Sequence, residues 1–599
     1  MTRNFDKNYA DLAILIFFAV LGAVLYSQTL NVPWLFDDYQ NITANPLIKS
    51  IPESIRNVFA PRGVAYLTFA LNYFADGLNV TGFHIVNIAF HILASWFAYL
   101  IAKRAFMRKP GIMEPETVSG DSSAAGNWAL MSGCRLPAFF VGSLFLAHPL
   151  QTQTVNYIVQ RMTGLSALFF LMTLYCYVKF RETTRPDIVN GHTRSASAGG
   201  GLIKQPLVWY SQALLFSALA LMTKQNAAVI PAALLLFDWL VLGRGQIPAP
   251  LTKRLLHILP FLLLSLLFIY IQVGKDDLLL KDAGRAEYWA KADETSSISK
   301  IVPGVPVPPV GQMPKPMKLE KPPENLQLLY FVTEFSVLWL YLRLLLLPYG
   351  QVFDYGYPLA SKLWDVHTVI AGGGLAVLVV MALLLVRRKQ PLIAFGIFWF
   401  FLTLAVESTI IPLDAAVEHR LYMPVFGFSL SLVALVRHVA GRKHALLLLL
   451  IVAIYGGAAW QRNQLWAHPI AFALDGVAKA PHNQRNHLTL ANSYADAGRW
   501  ADAEQALRKA IPLRPYYHIP YDNLGSALAQ QGRLAESRYY FSVAAILDPL
   551  YPNAVYNYGY ASLKIGDMPA ALRSLQRLKE LQSPLAKQLG AQFVNKSGL

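Results

Sequence analysis

Cysteine and charge are what this sequence has least of. Only two of its 599 residues are cysteine, Cys134 and Cys176, one beside and one inside an apolar stretch. That excludes a disulfide framework and a cysteine-based zinc site. Charged residues make up 15% of the chain, where soluble domains carry about a quarter, so an ordinary soluble protein is excluded as well. Acidic side chains are the scarcer sign: 35 Asp and Glu stand against 52 Lys and Arg, a formal net charge of +17. In so apolar a chain a basic excess belongs in cytoplasmic loops and sets topology. No nucleic-acid partner is expected.

What the chain does have is long apolar runs. Hydrophobic residues make up 55% of it and the mean hydropathy is +0.37. Runs approach the ~20 residues that a helix needs to cross a bilayer, which predicts a multi-pass protein in a lipid membrane. After a first run over 12–30, spans are expected at 83–102, 136–150, 158–178, 207–223, 226–242, 255–273, 367–386, 391–411, 421–437 and 444–460. Basic clusters such as Lys103–Arg104, Lys179–Arg181, Arg387–Lys389 and Arg442–Lys443 mark alternate connections, which the positive-inside rule places in the cytoplasm. A crossing at 331–348 ("FVTEFSVLWLYLRLLLLP") would break that alternation, and it carries Glu334 and Arg343, which are costly in lipid. It is therefore expected to be re-entrant or interfacial, leaving eleven full crossings. Arg3 and Lys7 precede the first run without a clean cleavage site, which predicts a retained signal anchor with a cytoplasmic N-terminus. Everything after residue 460 then lies outside. Two long connections share that side, 31–82 and the Pro- and Lys-rich 274–328, whereas the Gly/Ser-rich 110–130 and 187–202 read as cytoplasmic linkers.

The membrane domain is expected to occupy 1–463 and a different one 464–599. In the latter, Gly498, Gly532 and Gly566 recur at 34 residues, as do Pro481, Pro515 and Pro549; Leu507, Phe541 and Leu575; and Ala491, Gly525 and Gly559. Such a period is the signature of tetratricopeptide repeats, helix–turn–helix units that stack into an α-solenoid. Three full repeats fit, led by a half-repeat ending at Pro481. The fold class is thus all-α. The array offers a groove for a protein segment, in which Asn523 and Asn557 share a repeat position and could bind peptide backbone.

In the first outer loop, "WLFDDYQNITANP" (34–46) sets Asp37 beside Asp38 directly after an apolar run. Acids in such a loop are ordinarily caps; their company alters the reading. The outer ends of later spans carry His84, Asn87 and His91; His148, Gln153 and Arg161; Lys224; Asp354; Glu407; and Glu418, His419 and Arg420. Ionisable residues at membrane ends tend to mark functional cavities. An acid facing several cations suits a transfer in which a carboxylate takes a hydroxyl proton while cations stabilise a departing phosphate. No His/Asp set has convincing metal spacing.

Five stretches in order resemble the transmembrane and tetratricopeptide-repeat protein O-mannosyltransferases and their bacterial relatives. They are "FDDYQNITANP" (36–46), "HPLQTQTVNYIVQR" (148–161), "LMTKQNAAVIP" (221–231), "YLRLLLLPYGQVFDYGYP" (341–358) and "EHRLYMPVFGF" (418–428). The sequence departs from the family at Gln153 and Gln225, where an acid is usual, and in its short array. The resemblance implies a C-type multi-pass glycosyltransferase that moves a sugar, with inversion, from a polyprenyl-phosphate carrier to a Ser or Thr hydroxyl of a protein docked on the repeats. It implies Asp37 or Asp38 as the base, or as holder of a divalent Mg or Mn. Arg420 first, then Lys224, Arg161, Arg62 and Arg343, would bind the donor phosphate. His84, His148, Asp354, Glu407, Glu418 and His419 would line or support the cavity. The compact array points to the inner membrane of a two-membrane bacterium, with the repeats in the periplasm. Two other readings stay open: an enzyme of the same fold acting on an envelope glycan or lipid, and a membrane scaffold displaying a docking array.

Overall fold

A computed structural model describes residues 2–107, 133–184, 187–189, 192–194, 204–245, 251–273, 325–409 and 414–597. The expected linker at 110–130 and nearly all of the expected outer loop at 274–328 lie outside these. The described chain is helical, as its apolar runs require, because in hydrocarbon every backbone donor and acceptor must be satisfied within the segment. One exception falls in the expected linker at 187–202. There Asp187–Val189 pairs antiparallel with His192–Arg194, with Ile188 opposite Thr193.

The chain divides into two compact units. The first comprises Met1–Lys275, Gln327–Gln351 and Pro358–Ala467; the described part of the second is mainly His468 onward, joined by Val352–Tyr357. Among the described residues of the first unit, nine stretches are long and apolar enough to cross a membrane, and Arg135–Ala147 and Pro391–Leu404 are shorter apolar helices. Ile158–Thr183 is the most enclosed span and Val366–Arg387 the least. The former is thus an axis inside the bundle and the latter a helix whose Val and Leu side chains face outward. Of the two readings expected for 331–348, the re-entrant one is corrected. Leu326–Leu346 is one unbroken helix of 21 residues, long enough to span. Its charges avoid lipid without re-entry: Glu334 turns inward to within 3.8 Å of Arg420, and Arg343, in the last turn, donates to the Tyr349 carbonyl.

In the second unit the 34-residue period is the spacing of the helices themselves. Gln484–Asp496, His518–Gln530 and Pro552–Ile565 begin 34 residues apart, and so do Trp500–Ala510, Leu534–Leu547 and Met568–Glu580. Gly498, Gly532 and Gly566 end the first helix of each pair with φ of 70°, 79° and 92°, a conformation that favours glycine. The small column has a packing cause. A Cβ on Gly525 would lie 2.6 Å from the Phe541 ring, and one on Gly559 2.6 Å from Ser574. Where the facing residue is Leu507, the column tolerates Ala491.

Gly525→Ala should therefore destabilise the repeats by about 1–3 kcal/mol through overpacking. Adding Phe541→Leu, which reproduces the Ala491–Leu507 pairing, should recover part of that loss in thermal melts of the full chain.

Candidate active site on the loop after the first apolar helix

The acidic pair opens a short helical turn that runs into a wider turn over Tyr39–Thr43. Successive residues of such a turn point about 100° apart, and the two carboxylates meet opposite environments. Asp38 is fully buried. Its Oδ2 accepts the Leu35 amide at 2.9 Å and its Oδ1 the Val159 amide at 2.7 Å. Burial pushes its carboxyl up to about 8, against those amides, which favour the charged form; the neighbouring Asp37 pushes the same way as burial. Asp37 is exposed. Its amide donates to the Tyr157 hydroxyl at 2.9 Å and its carbonyl accepts from Asn41, which in turn accepts from the Tyr66 hydroxyl. Phe36, just before the pair, holds φ at 40°, a strained value for an aromatic residue. The buried Tyr157 hydroxyl is raised well above its ordinary value by burial and by the two carboxylates.

Arg161 brackets this loop from the head of its helix. It is buried, its Nε donating to Asn87 Oδ1 at 2.7 Å, its Nη1 to Asn72 Oδ1 at 2.6 Å and the Thr68 carbonyl at 3.2 Å, and its Nη2 to the Phe83 carbonyl at 2.9 Å. Its plane lies over the Phe69 and Phe83 rings. Four of its five N–H donors are thus used in holding the helices Gly63–Asp76 and Val80–Met107 together.

A second cluster gathers Lys224, Glu407, Arg420 and Glu334. Lys224 Nζ lies 2.9 Å from Glu407 and donates to Thr163 Oγ1 at 3.0 Å. Arg420 lies 3.9 Å from Glu407 and 3.8 Å from Glu334, and donates to the Ala415 carbonyl at 3.0 Å. The His419 ring is pushed well down by burial and by the same two cations, so it is neutral. One segment, 148–164, links the two clusters. Tyr157 and Val159 hold the acidic loop, Gln153 Oε1 accepts the His419 amide at 2.7 Å, and Thr163 meets Lys224.

The other expected residues are placed as follows. His84 bonds the Val32 carbonyl and fixes the start of the loop. His148 accepts the Leu150 amide on Nδ1 and donates from Nε2 to the Leu345 carbonyl. Glu418 accepts from Gln351 at 2.8 Å. Arg62 is exposed at the head of Gly63–Asp76 with φ at 62°. Arg343 lies over the Tyr349 ring. Asp354 belongs to the second unit, where Asn483, Arg485 and the Gly356 amide bind its carboxylate. In that unit Asn523 donates to Asn492, and Asn557 to the buried Asp522. Tyr157, Asn41 and Tyr66 were not singled out from sequence, since single hydroxyls and amides carry no pattern there. Among the described residues no three His, Cys, Asp or Glu side chains converge as a metal set.

Asp38→Asn should cost about 1–3 kcal/mol, because an amide offers one acceptor where two N–H groups need partners; Asp37→Asn should leave the melting temperature unchanged. A pH dependence follows for Asp522, whose carboxyl burial pushes up to about 6. Being raised in the folded chain, it contributes stability that is full below about pH 4 and is lost as pH rises toward 6. Asp522→Asn should therefore stabilise the repeats at pH 7, by up to about 3 kcal/mol, and have no such effect at pH 4 in the same melts.

No family model matches the chain. It is 22% identical to human "Protein O-mannosyl-transferase TMTC1" over 548 residues, 84% of this chain and 55% of that protein. It is 20% identical to "Protein O-mannosyl-transferase F38B6.6" of Caenorhabditis elegans, over 83% of this chain and 62% of that one. With Drosophila melanogaster "Protein O-mannosyl-transferase Tmtc1" it shares 26% identity over 185 residues, 28% of this chain and 18% of the relative. The chain thus spans between about a fifth and three fifths of the length of these relatives. Similarity of this kind runs through most of its own sequence, so the chain is distantly similar to proteins named O-mannosyl-transferases.

Proposed function

We propose that this protein is a membrane glycosyltransferase that moves a sugar from a polyprenyl-phosphate carrier to a protein Ser or Thr hydroxyl on the outer side of the inner membrane. The observation that carries the reading is the division of labour within the acidic pair. Asp38 is consumed in holding the loop, which leaves Asp37 exposed, with its backbone fixed at both amide and carbonyl. The similarity to proteins named O-mannosyl-transferases supports the same chemistry.

In the proposed reaction Asp37 takes the proton of the acceptor hydroxyl as its oxygen attacks the sugar's anomeric carbon. The carbon–oxygen bond to the carrier phosphate breaks on the opposite face, so the configuration inverts, and the phosphate leaves with the electron pair. Arg420 and Lys224 receive that charge. Arg161, its donors used in the fold, acts by holding the loop. The repeats present the acceptor protein, and they share the outer compartment with the acidic loop while the N-terminus is cytoplasmic.

Intact mass spectrometry of outer-compartment proteins tests this in cells with wild type, Asp37→Asn or Asp38→Asn at matched membrane levels. A protein should lose a hexose-sized mass in the Asp37→Asn strain, with transfer down by roughly a thousandfold. Unchanged protein masses with altered envelope glycans would move the acceptor to a glycan or lipid; no change in either would remove the catalytic role.

A further inference from the structure

Four elements converge on the second cluster: Glu334 from the helix Leu326–Leu346, Lys224 after Lys204–Thr223, Glu407 after Pro391–Leu404, and Arg420 in the turn Glu418–Tyr422. Two cations face two carboxylates, so the group is electrically neutral while buried in an apolar body, where unpaired charge is costly. The contacts are uneven. Lys224 and Glu407 meet at 2.9 Å, whereas Arg420 stands 3.9 Å from Glu407 and 3.8 Å from Glu334, beyond hydrogen-bond length. Among the described residues, the Arg420 guanidinium donates hydrogen bonds only from Nη1, to the Ala415 carbonyl and, at 3.5 Å, to Tyr330; Nε and Nη2 donate none. Neither oxygen of Glu334, which is 1% exposed, has a hydrogen bond of good geometry, although the Tyr330 and Ser408 hydroxyls lie beside it. Exposure is graded across the cluster: the Lys224 and Glu407 side chains are 16% and 11% exposed, those of Arg420 and Glu334 3% and 1%. An arriving anion would meet the Lys224–Glu407 pair first.

We infer that Glu407 is a built-in counter-ion that holds Lys224 and Arg420 ready for a ligand and is displaced from them by a phosphate group of that ligand. The inference rests on the reading of this cluster as the donor-phosphate site. Glu407 touches both cations, one closely and one loosely, as a stand-in carboxylate would. A phosphate oxygen offers the unused Arg420 donors the short charge-assisted bonds that Glu407 does not make. Glu334 stays behind Arg420 and keeps its charge compensated during the exchange. The arrangement spares the fold two uncompensated buried cations at the cost of competition with the ligand.

The test measures binding of farnesyl phosphate, and separately of inorganic phosphate, to the full chain in detergent. Wild type is compared with Glu407→Gln, Glu407→Asp and Arg420→Gln. Removing the competing charge should tighten farnesyl phosphate by about tenfold in Glu407→Gln, and Arg420→Gln should weaken it by about tenfold or more. Glu407→Asp, which keeps the charge but shortens its reach toward Arg420, should fall between wild type and Glu407→Gln. It carries the test if Glu407→Gln does not fold. If Arg420→Gln weakens binding while both Glu407 variants bind like wild type or more weakly, Glu407 supports the cations, and the counter-ion role fails with the donor site intact. If no protein binds either probe, the donor-site reading falls and this inference with it. If inorganic phosphate binds as tightly as farnesyl phosphate, with the same ratios among variants, the displacement stands and the ligand is a free phosphate.

Discussion

Asp38 is an ionisable group placed where water cannot reach it, and the arrangement of its loop follows from how that burial is compensated. Its two oxygens are taken by two backbone amides, one three residues earlier and one 121 residues later in the chain. The second fastens the loop after the first apolar helix to the segment that begins the most enclosed helix of the bundle. Once Asp38 points inward, Asp37 cannot do so, because adjacent positions of a helical turn diverge by about 100°. The strained φ of Phe36 lies immediately before the pair and is sustained by these surrounding contacts.

Charge in the rest of the first unit is handled by similar compensation. Arg161 is buried with four hydrogen bonds and two aromatic faces, which leaves it a fastener between helices. The partly buried Lys224 and the buried Arg420, Glu334 and Glu407 are matched by number more than by geometry, and several of their donors and acceptors make no close contact. The two sets of buried charge therefore differ in kind. One is saturated by the fold, and the other retains hydrogen-bonding capacity for an anion.

The helical repeats and most apolar helices could be read from the sequence because their causes are periodic and local. A 34-residue recurrence of glycine, proline and small residues survives in the helix starts themselves, down to Gly525 giving way to Phe541. The segment 331–348 was less legible. Glu334 and Arg343 argued against an unbroken apolar helix only so long as nothing inside the bundle was there to receive them, and Arg420 and the Tyr349 carbonyl do so from 86 and six residues away. The arginines and lysine at the outer ends could not be ranked by type alone: Arg161 and Arg420 have the same donors, and only their neighbours decide how many are used.

The sequence by itself determined the membrane body, the helical array after it and the stretches from which a site would be built. These depend on hydropathy, on spacing and on runs of neighbouring residues, all carried within one segment. The tertiary structure decided which carboxylate is presented and which is consumed, that Arg161 binds helices together, and that Glu407 lies between two cations. Those outcomes depend on groups brought together across 74 to 183 positions in the chain, and burial makes each long-range pairing strong enough to fix a side chain's role.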